Sequence, residues 1–200
     1  LRGDFEHARE LLERARLRAI ELGHSFRAAG VVGFFIGPTE LLAGNAERAA
    51  EMMRDAWGEM TGTGDRSFAS TVAGNVAHAL VELGEMDEAE KWARIASVDA
   101  ALDDFASQSA SLAVMGRVLA SRGSLDEGER LTRRAVGITS ATDFLTIDGS
   151  TLLHLAAVLA LEGKQTAADA AVAQAIERFN AKGASAWVAK AERQRAGRAT

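Results

Sequence analysis

The side chains of this 200-residue chain best suited to acid-base or metal chemistry are four histidines, His7, His24, His78 and His154. They are dispersed along the chain rather than set in the clustered His/Glu spacing that a helical metal site requires. Zinc chemistry is therefore not expected. With no cysteine, the chain has no disulfide, thiolate nucleophile or zinc-thiolate site, which is compatible with a reducing cytosol and a cytoplasmic setting. No GxxxxGK[ST] phosphate loop, GxSxG elbow or GxGxxG turn occurs. The glycines of TGTGDR, residues 61–66, lack the preceding strand that a phosphate site needs, and they read as a connection between helices. No catalytic residue, metal or cofactor is expected.

Charge gives the same answer. Lys and Arg number 23 against 28 Asp and Glu, a net of -5. Arg130, Arg133 and Arg134, and the later Lys190, Arg193, Arg195 and Arg198, are diluted by Glu and Ala, so no basic stripe for nucleic acid forms. Glu85, Asp87, Glu88 and Glu90 crowd a helix start, where they complement the positive end of its dipole. No stretch approaches the ~18 uninterrupted apolar residues of a membrane span, and no signal-peptide pattern opens the chain. Leu1 stands where a turn before a second helix would be, which we expect of a piece of a longer polypeptide.

The elements that would position any site are helices. One proline, no tyrosine, 48% hydrophobic residues and abundant Ala, Leu, Glu and Arg favour helix nearly throughout. A skeleton recurs at fixed spacing. Its turn glycines are Gly3, Gly44, Gly84, Gly123 and Gly163, separated by 41, 40, 39 and 40 residues. Five residues after each stands Ala8, Ala49, Ala89, Gly128 or Ala168; twelve after stands Ala15, Ala56, Ala96, Ala135 or Ala175. Seven before the four later turns come Gly37, Ala77, Gly116 and Ala156, each preceded by an apolar residue. Leu80, Leu119 and Leu159 lie four before their turns, and Glu40 breaks that column.

Helices are accordingly expected over 4–22, 25–42, 46–60, 67–83, 86–100, 105–121, 125–139, 144–161, 166–180 and 184–196. Asp104 and Asp143 are expected to cap the helices that follow them. Pro38 should kink or break its helix, since an interior proline costs about 3 kcal/mol or more. Phe34 and Phe35 beside it have two readings: an apolar seam for a partner, or rings packed on the preceding helix.

Small residues before a glycine turn and alanines at fixed spacing after it resemble the tetratricopeptide repeat (TPR). The resemblance implies an all-α, right-handed α-solenoid of antiparallel hairpins with a period of about 40 residues instead of the usual 34. It divides one helical domain, 1–200, into a partial repeat 1–24, repeats 25–65, 66–103, 104–143 and 144–183, and a closing helix 184–200. It also implies a concave groove lined by first helices. Projected onto this chain, groove positions are Thr71, Gly74, Asn75, His78, Glu82, Ala110, Ala113, Arg117, Ser121, Ser150, Leu153 and Ala157. Of these, Thr71, Asn75, His78, Glu82, Arg117, Ser121, Ser150 and Leu153 are the expected contacts. Relatives that hold chaperone C-terminal carboxylates line this groove with Lys, Arg and Asn; here only Asn75 and Arg117 could serve, so an apolar or helical partner fits better.

The stretch 133–195 resembles the closing repeats of bacterial multidomain regulators with ATPase or adenylate/guanylate cyclase domains. That resemblance implies a non-catalytic interaction and sensing module whose partner is a protein, a peptide or another domain of the same polypeptide, with no direct contact to nucleic acid or membrane. The alternatives are an oligomerisation scaffold that docks on a second copy of the chain, and a solenoid that binds a small ligand.

Overall fold

The computed structural model describes residues 2–64, 66–101 and 103–197. Helices α1 (Phe5–Glu21), α2 (Ser25–Val31), α3 (Gly37–Leu42), α4 (Ala46–Gly62), α5 (Ser67–Leu83) and α6 (Met86–Asp99) precede α7 (Phe105–Ser121), α8 (Leu125–Thr139), α9 (Leu145–Leu161), α10 (Gln165–Lys182) and α11 (Ser185–Ala196). A π-helical turn, Val32–Ile36, joins α2 to α3. Two compact units are distinguishable: Asp4–Ser107, and Gln108–Thr200 with Leu1–Gly3, so the division falls inside α7. No helix among the described residues is long and apolar enough to cross a membrane.

The repeat columns have direct structural meaning. All five turn glycines adopt positive φ, between 75° and 95°. At Gly84, φ is 79°, in the left-handed region that penalises a Cβ, and its N–H closes α5 onto Val81. Ala49, Ala89, Gly128 and Ala168 are buried, as are Ala56, Ala96, Ala135 and Ala175. Their counterparts on α1 are not: Ala8 is half-buried and Ala15 exposed.

Close helix approach explains why the columns stay small. A Cβ on Gly116 would lie 2.7 Å from the Gly128 carbonyl and 2.6 Å from Thr132 Cγ2. One on Gly37 would meet Met53 Cγ at 2.2 Å. Thr132 and Met53 each stand nine residues after their turn glycine, so the small residue seven before the turn faces the larger one nine after it. Met53 and Met60 are fully buried in the Asp4–Ser107 unit, and Phe179 in the other, where it packs with Leu152, Leu159, Val172 and Ala175. Side chains of that size each contribute about 1.5–3 kcal/mol on burial.

Two caps were expected. Asp104 fulfils its role: Oδ1 accepts from the Ser107 N–H at 3.0 Å. Asp143 does not, because α9 begins at Leu145 with Phe144 in the capping position and no side-chain cap. The Phe144 N–H instead donates to Thr142 Oγ1 at 3.3 Å. The expected single helix 25–42 is interrupted, and the interruption is the π turn just before Pro38. There the ring of an α-helical proline would collide with the carbonyl four residues back, that of Phe34.

Candidate functional site

Within the Asp4–Ser107 unit, α5 carries Thr71, Asn75, His78 and Glu82, spaced four, three and four residues apart so that they share a stripe. Helix α5 is buried along most of its surface, with Val72, Ala73, Val76, Ala77 and Leu80 in the core, so this stripe is its more open side. His78 Nε2 and a Glu82 carboxylate oxygen are 3.6 Å apart, a pair that holds charge only when the imidazole is protonated. The other two side chains turn towards their own protein. Thr71 Oγ1 shares a 3.0 Å hydrogen bond with Ser107 Oγ, part of a cluster in which Ser70 donates to Asp104 at 3.1 Å. Asn75 Nδ2 donates to the Gly33 carbonyl at 3.1 Å. Gly74, also projected onto this face, is buried.

In the other unit, Arg117 is half-buried on α7 and Ser121 is exposed at its end, where its hydroxyl returns to the Val118 carbonyl at 2.8 Å. Ser150 is half-buried on α9. Leu153 is 4% exposed and belongs to the apolar core. Ala113 is buried, while Ala110 and Ala157 are half-buried.

The TGTGDR stretch ends α4 and is not preceded by a strand. Thr61 Oγ1 bonds the Trp57 carbonyl at 2.9 Å and Thr63 Oγ1 the Met60 carbonyl at 2.7 Å, so both hydroxyls are spent closing the helix. Asp65 lies outside the described residues, as does Arg198. Among the other basic residues, Arg130 pairs with Glu127, Arg133 with Glu129, and Lys190 lies 5.6 Å over the Trp187 ring. His154 is buried.

The fold is that of a TPR-like solenoid. Antiparallel helix pairs, each with a positive-φ glycine at its turn, recur through both units, and solved structures share the arrangement. BtubC (BKLC) from P. vanneervenii is 22% identical, with a TM-score of 0.62 over 90% of this chain and 75% of that one. A putative kinesin light chain from Podosopora anserina, solved as nearly identical TPR-like repeats, is 15% identical, with a TM-score of 0.55 over 90% of this chain and 89% of that one. No protein-family profile matches the chain, and no curated protein does.

Aromatic exposure is the property of the TPR-like surface that the projected positions miss. Phe35 is 56% and Phe68 55% exposed. Phe34 and Phe26 are half-buried, and each meets the Phe68 ring edge-on with centroids 6.1 Å apart. Of the two sequence readings for this pair, Phe34 packs forward onto α5 through Phe68, and Phe35 faces solvent.

Three polar centres were not foreseen. Glu40, its side chain 1% exposed, accepts from Arg9 Nε at 2.7 Å, Arg9 Nη2 at 3.1 Å and Asn45 Nδ2 at 2.6 Å. The Arg9 bond, reinforced by Asn45, holds its carboxyl below the ordinary 4.5 despite burial. Asp148, 2% exposed, accepts from Thr139 Oγ1 at 2.8 Å, Ser140 Oγ at 2.9 Å and Arg178 Nε at 2.8 Å. Lys164 bridges Glu129 at 2.5 Å and Glu162 at 2.7 Å. The Lys164 bond, with help from Arg133, brings Glu129 down to about 2, and Glu129 followed by Glu162 raises Lys164 to about 12. In each centre the charged groups hold one another, which accounts for them as structural.

Proposed function

We propose that the chain is a non-catalytic protein-protein interaction module that receives an apolar or amphipathic helix on the Asp4–Ser107 unit. The observation that carries this reading is the Phe26–Phe34–Phe68 cluster together with Phe35, two of whose four rings are more than half exposed. Large apolar side chains gathered at a surface mark sites of association, and aromatic anchors dominate binding energy. His78 and Glu82 on α5 supply a polar margin that would fix orientation. TPR-like folds in general serve interaction or scaffolding, and the hydroxyls of Thr71 and Ser121 are hydrogen-bonded within the protein rather than set beside a base.

Within this reading the partner is a domain of the same polypeptide, a larger bacterial cytoplasmic regulator. Support comes from the resemblance of residues 133–195 to the closing repeats of such proteins and from the acidic, cysteine-free composition.

Fluorescence anisotropy with labelled amphipathic helical peptides tests the interaction. Saturable binding is expected, weakened about tenfold by Phe35→Ala, as for loss of an aromatic anchor. Binding indifferent to both Phe35→Ala and Phe68→Ala, or saturable catalysis by the purified chain, would overturn it.

A second reading has its own observation: Leu11, Leu17, Ile20 and Leu22 are all exposed on α1 or at its C-terminal cap, and α1 carries no buried residue. Self-association through α1 would cover them. Light scattering should then show mass rising with concentration, and a monomer at all concentrations would dismiss it.

A further inference from the structure

In the π turn, backbone bonds reach five residues back, and the Gly37 N–H donates to the Val32 carbonyl. The next rung would run from residue 38 to the carbonyl of Gly33. Residue 38 is proline and has no N–H to give. Gly33 is buried, so its carbonyl, left alone, would forfeit a hydrogen bond with no water to replace it. Asn75 supplies one from α5, 42 residues along the chain, at 3.1 Å. Helix α5 comes within reach because residue 33 has no side chain: a Cβ there would lie 2.6 Å from Val72 Cγ2.

We propose that Asn75 is a positioning residue whose amide stands in for the N–H that Pro38 lacks, holding residues 32–36 in the π turn and so fixing how Phe34 and Phe35 are presented. This rests on the interaction reading only for its last clause. The competing arrangement is an opened turn, in which the Gly33 carbonyl loses the Asn75 amide and the Gly37 N–H is released from Val32. Opening that segment frees the two rings from their fixed angle to Phe68. Asn75 is thus assigned to the protein's own backbone, and the partner meets the rings that it positions.

Native-state hydrogen exchange at the Gly37 amide, with the Ala93 amide of α6 as a control, tests the assignment. Asn75→Ala and the near-isosteric, acceptor-only Asn75→Asp are each expected to speed Gly37 exchange about tenfold relative to the control, as for one lost hydrogen bond. In a Pro38→Ala background residue 38 carries its own N–H, so Asn75→Ala should change Gly37 exchange less than about twofold, the coupling expected of two groups serving one acceptor. An equal effect of Asn75→Ala in both backgrounds, or unchanged exchange in Asn75→Asp, would overturn the assignment. If Asn75→Asp does not fold, the Asn75→Ala cycle decides alone. No partner enters this readout, so a failure of peptide binding would leave it untouched, and its own failure would leave peptide binding standing.

Discussion

Arg9 grips the buried carboxylate of Glu40 with two of its nitrogens, and Glu40 occupies the column that holds Leu80, Leu119 and Leu159 in the other complete repeats. The pair ties α1 to α3, although α1 buries no residue of its own. Removing one member of a buried ion pair strands the other, whereas replacing both by apolar groups is often neutral. Glu40→Leu alone, which also deprives Asn45 of its acceptor, is therefore expected to destabilise the Asp4–Ser107 unit by about 2–4 kcal/mol. The double change Arg9→Leu with Glu40→Leu should recover most of that loss. Urea midpoints measure both, and a single variant as stable as the parent would sink the argument.

The same carboxylate and Glu129 make stability depend on acid. Both are held below the ordinary 4.5, Glu129 at about 2. A depressed carboxylate contributes fully above its unfolded pKa and loses that contribution as pH falls through the folded value. Stability should thus decline from about pH 4.5 downwards, and for Glu129 the decline ends near pH 2. Lys164, raised to about 12, contributes below 10.5 and loses its share as pH rises through 12. Chemical denaturation across pH 2–5 with Glu129→Gln as control should show a shallower acid slope in the variant; an identical slope would refute the assignment.

Two glycines at equivalent positions should respond differently to alanine. At Gly116 the new Cβ would press on the Gly128 carbonyl at 2.7 Å, and backbone does not yield cheaply. At Gly37 the nearest atoms belong to the flexible side chain of Met53. Gly116→Ala should cost about 1–3 kcal/mol, and Gly37→Ala less. Gly84→Ala meets nothing within 4 Å, so its cost, about 1–2 kcal/mol, comes from positive φ alone. Thermal midpoints that reverse the first two would show that Met53, not the α7–α8 backbone, is the rigid neighbour.

Asp148 gathers three donors from α8, the turn after it and α10. Asp148→Asn keeps the shape, turns an N–H2 towards some of those donors and removes the charge opposite Arg178. The expected loss is about 1.5–3 kcal/mol, the range for hydrogen bonds to a charged group. Equal stability in denaturant would mean that Arg178 and the hydroxyls rearrange freely.

The packing frame was legible because helix turns and close approaches demand particular residue types at particular spacings. Gly84 and Ala96 can be read that way without knowing their neighbours. Glu40 was visible as an exception to its column, but its partner, Arg9, lies 31 residues away and no local pattern links them. Asn75 looked like a ligand contact because polar residues on a first helix face usually have no backbone to serve. Its acceptor exists only because Pro38, in another helix, leaves the Gly33 carbonyl without an N–H. Phe68 carries no periodic signal, being one aromatic residue near a helix start, and the Phe26 and Phe34 rings that meet it lie more than 30 residues earlier in the chain.

From Ser25 to Leu42 the π turn and its flanking helices use 18 residues, whereas α5, α7 and α9 each use 17. The wide turn is thus where the first complete repeat stores a one-residue insertion, leaving its two ends free to meet their neighbours as the shorter helices do. It follows that shortening the chain can be gentler here than in α5. Deleting Val32 together with Pro38→Ala removes both the surplus, at the point where the helix already bulges, and the ring that forbids an α turn there, whereas deleting a residue from α5, which has no surplus, would throw every buried position beyond it out of phase.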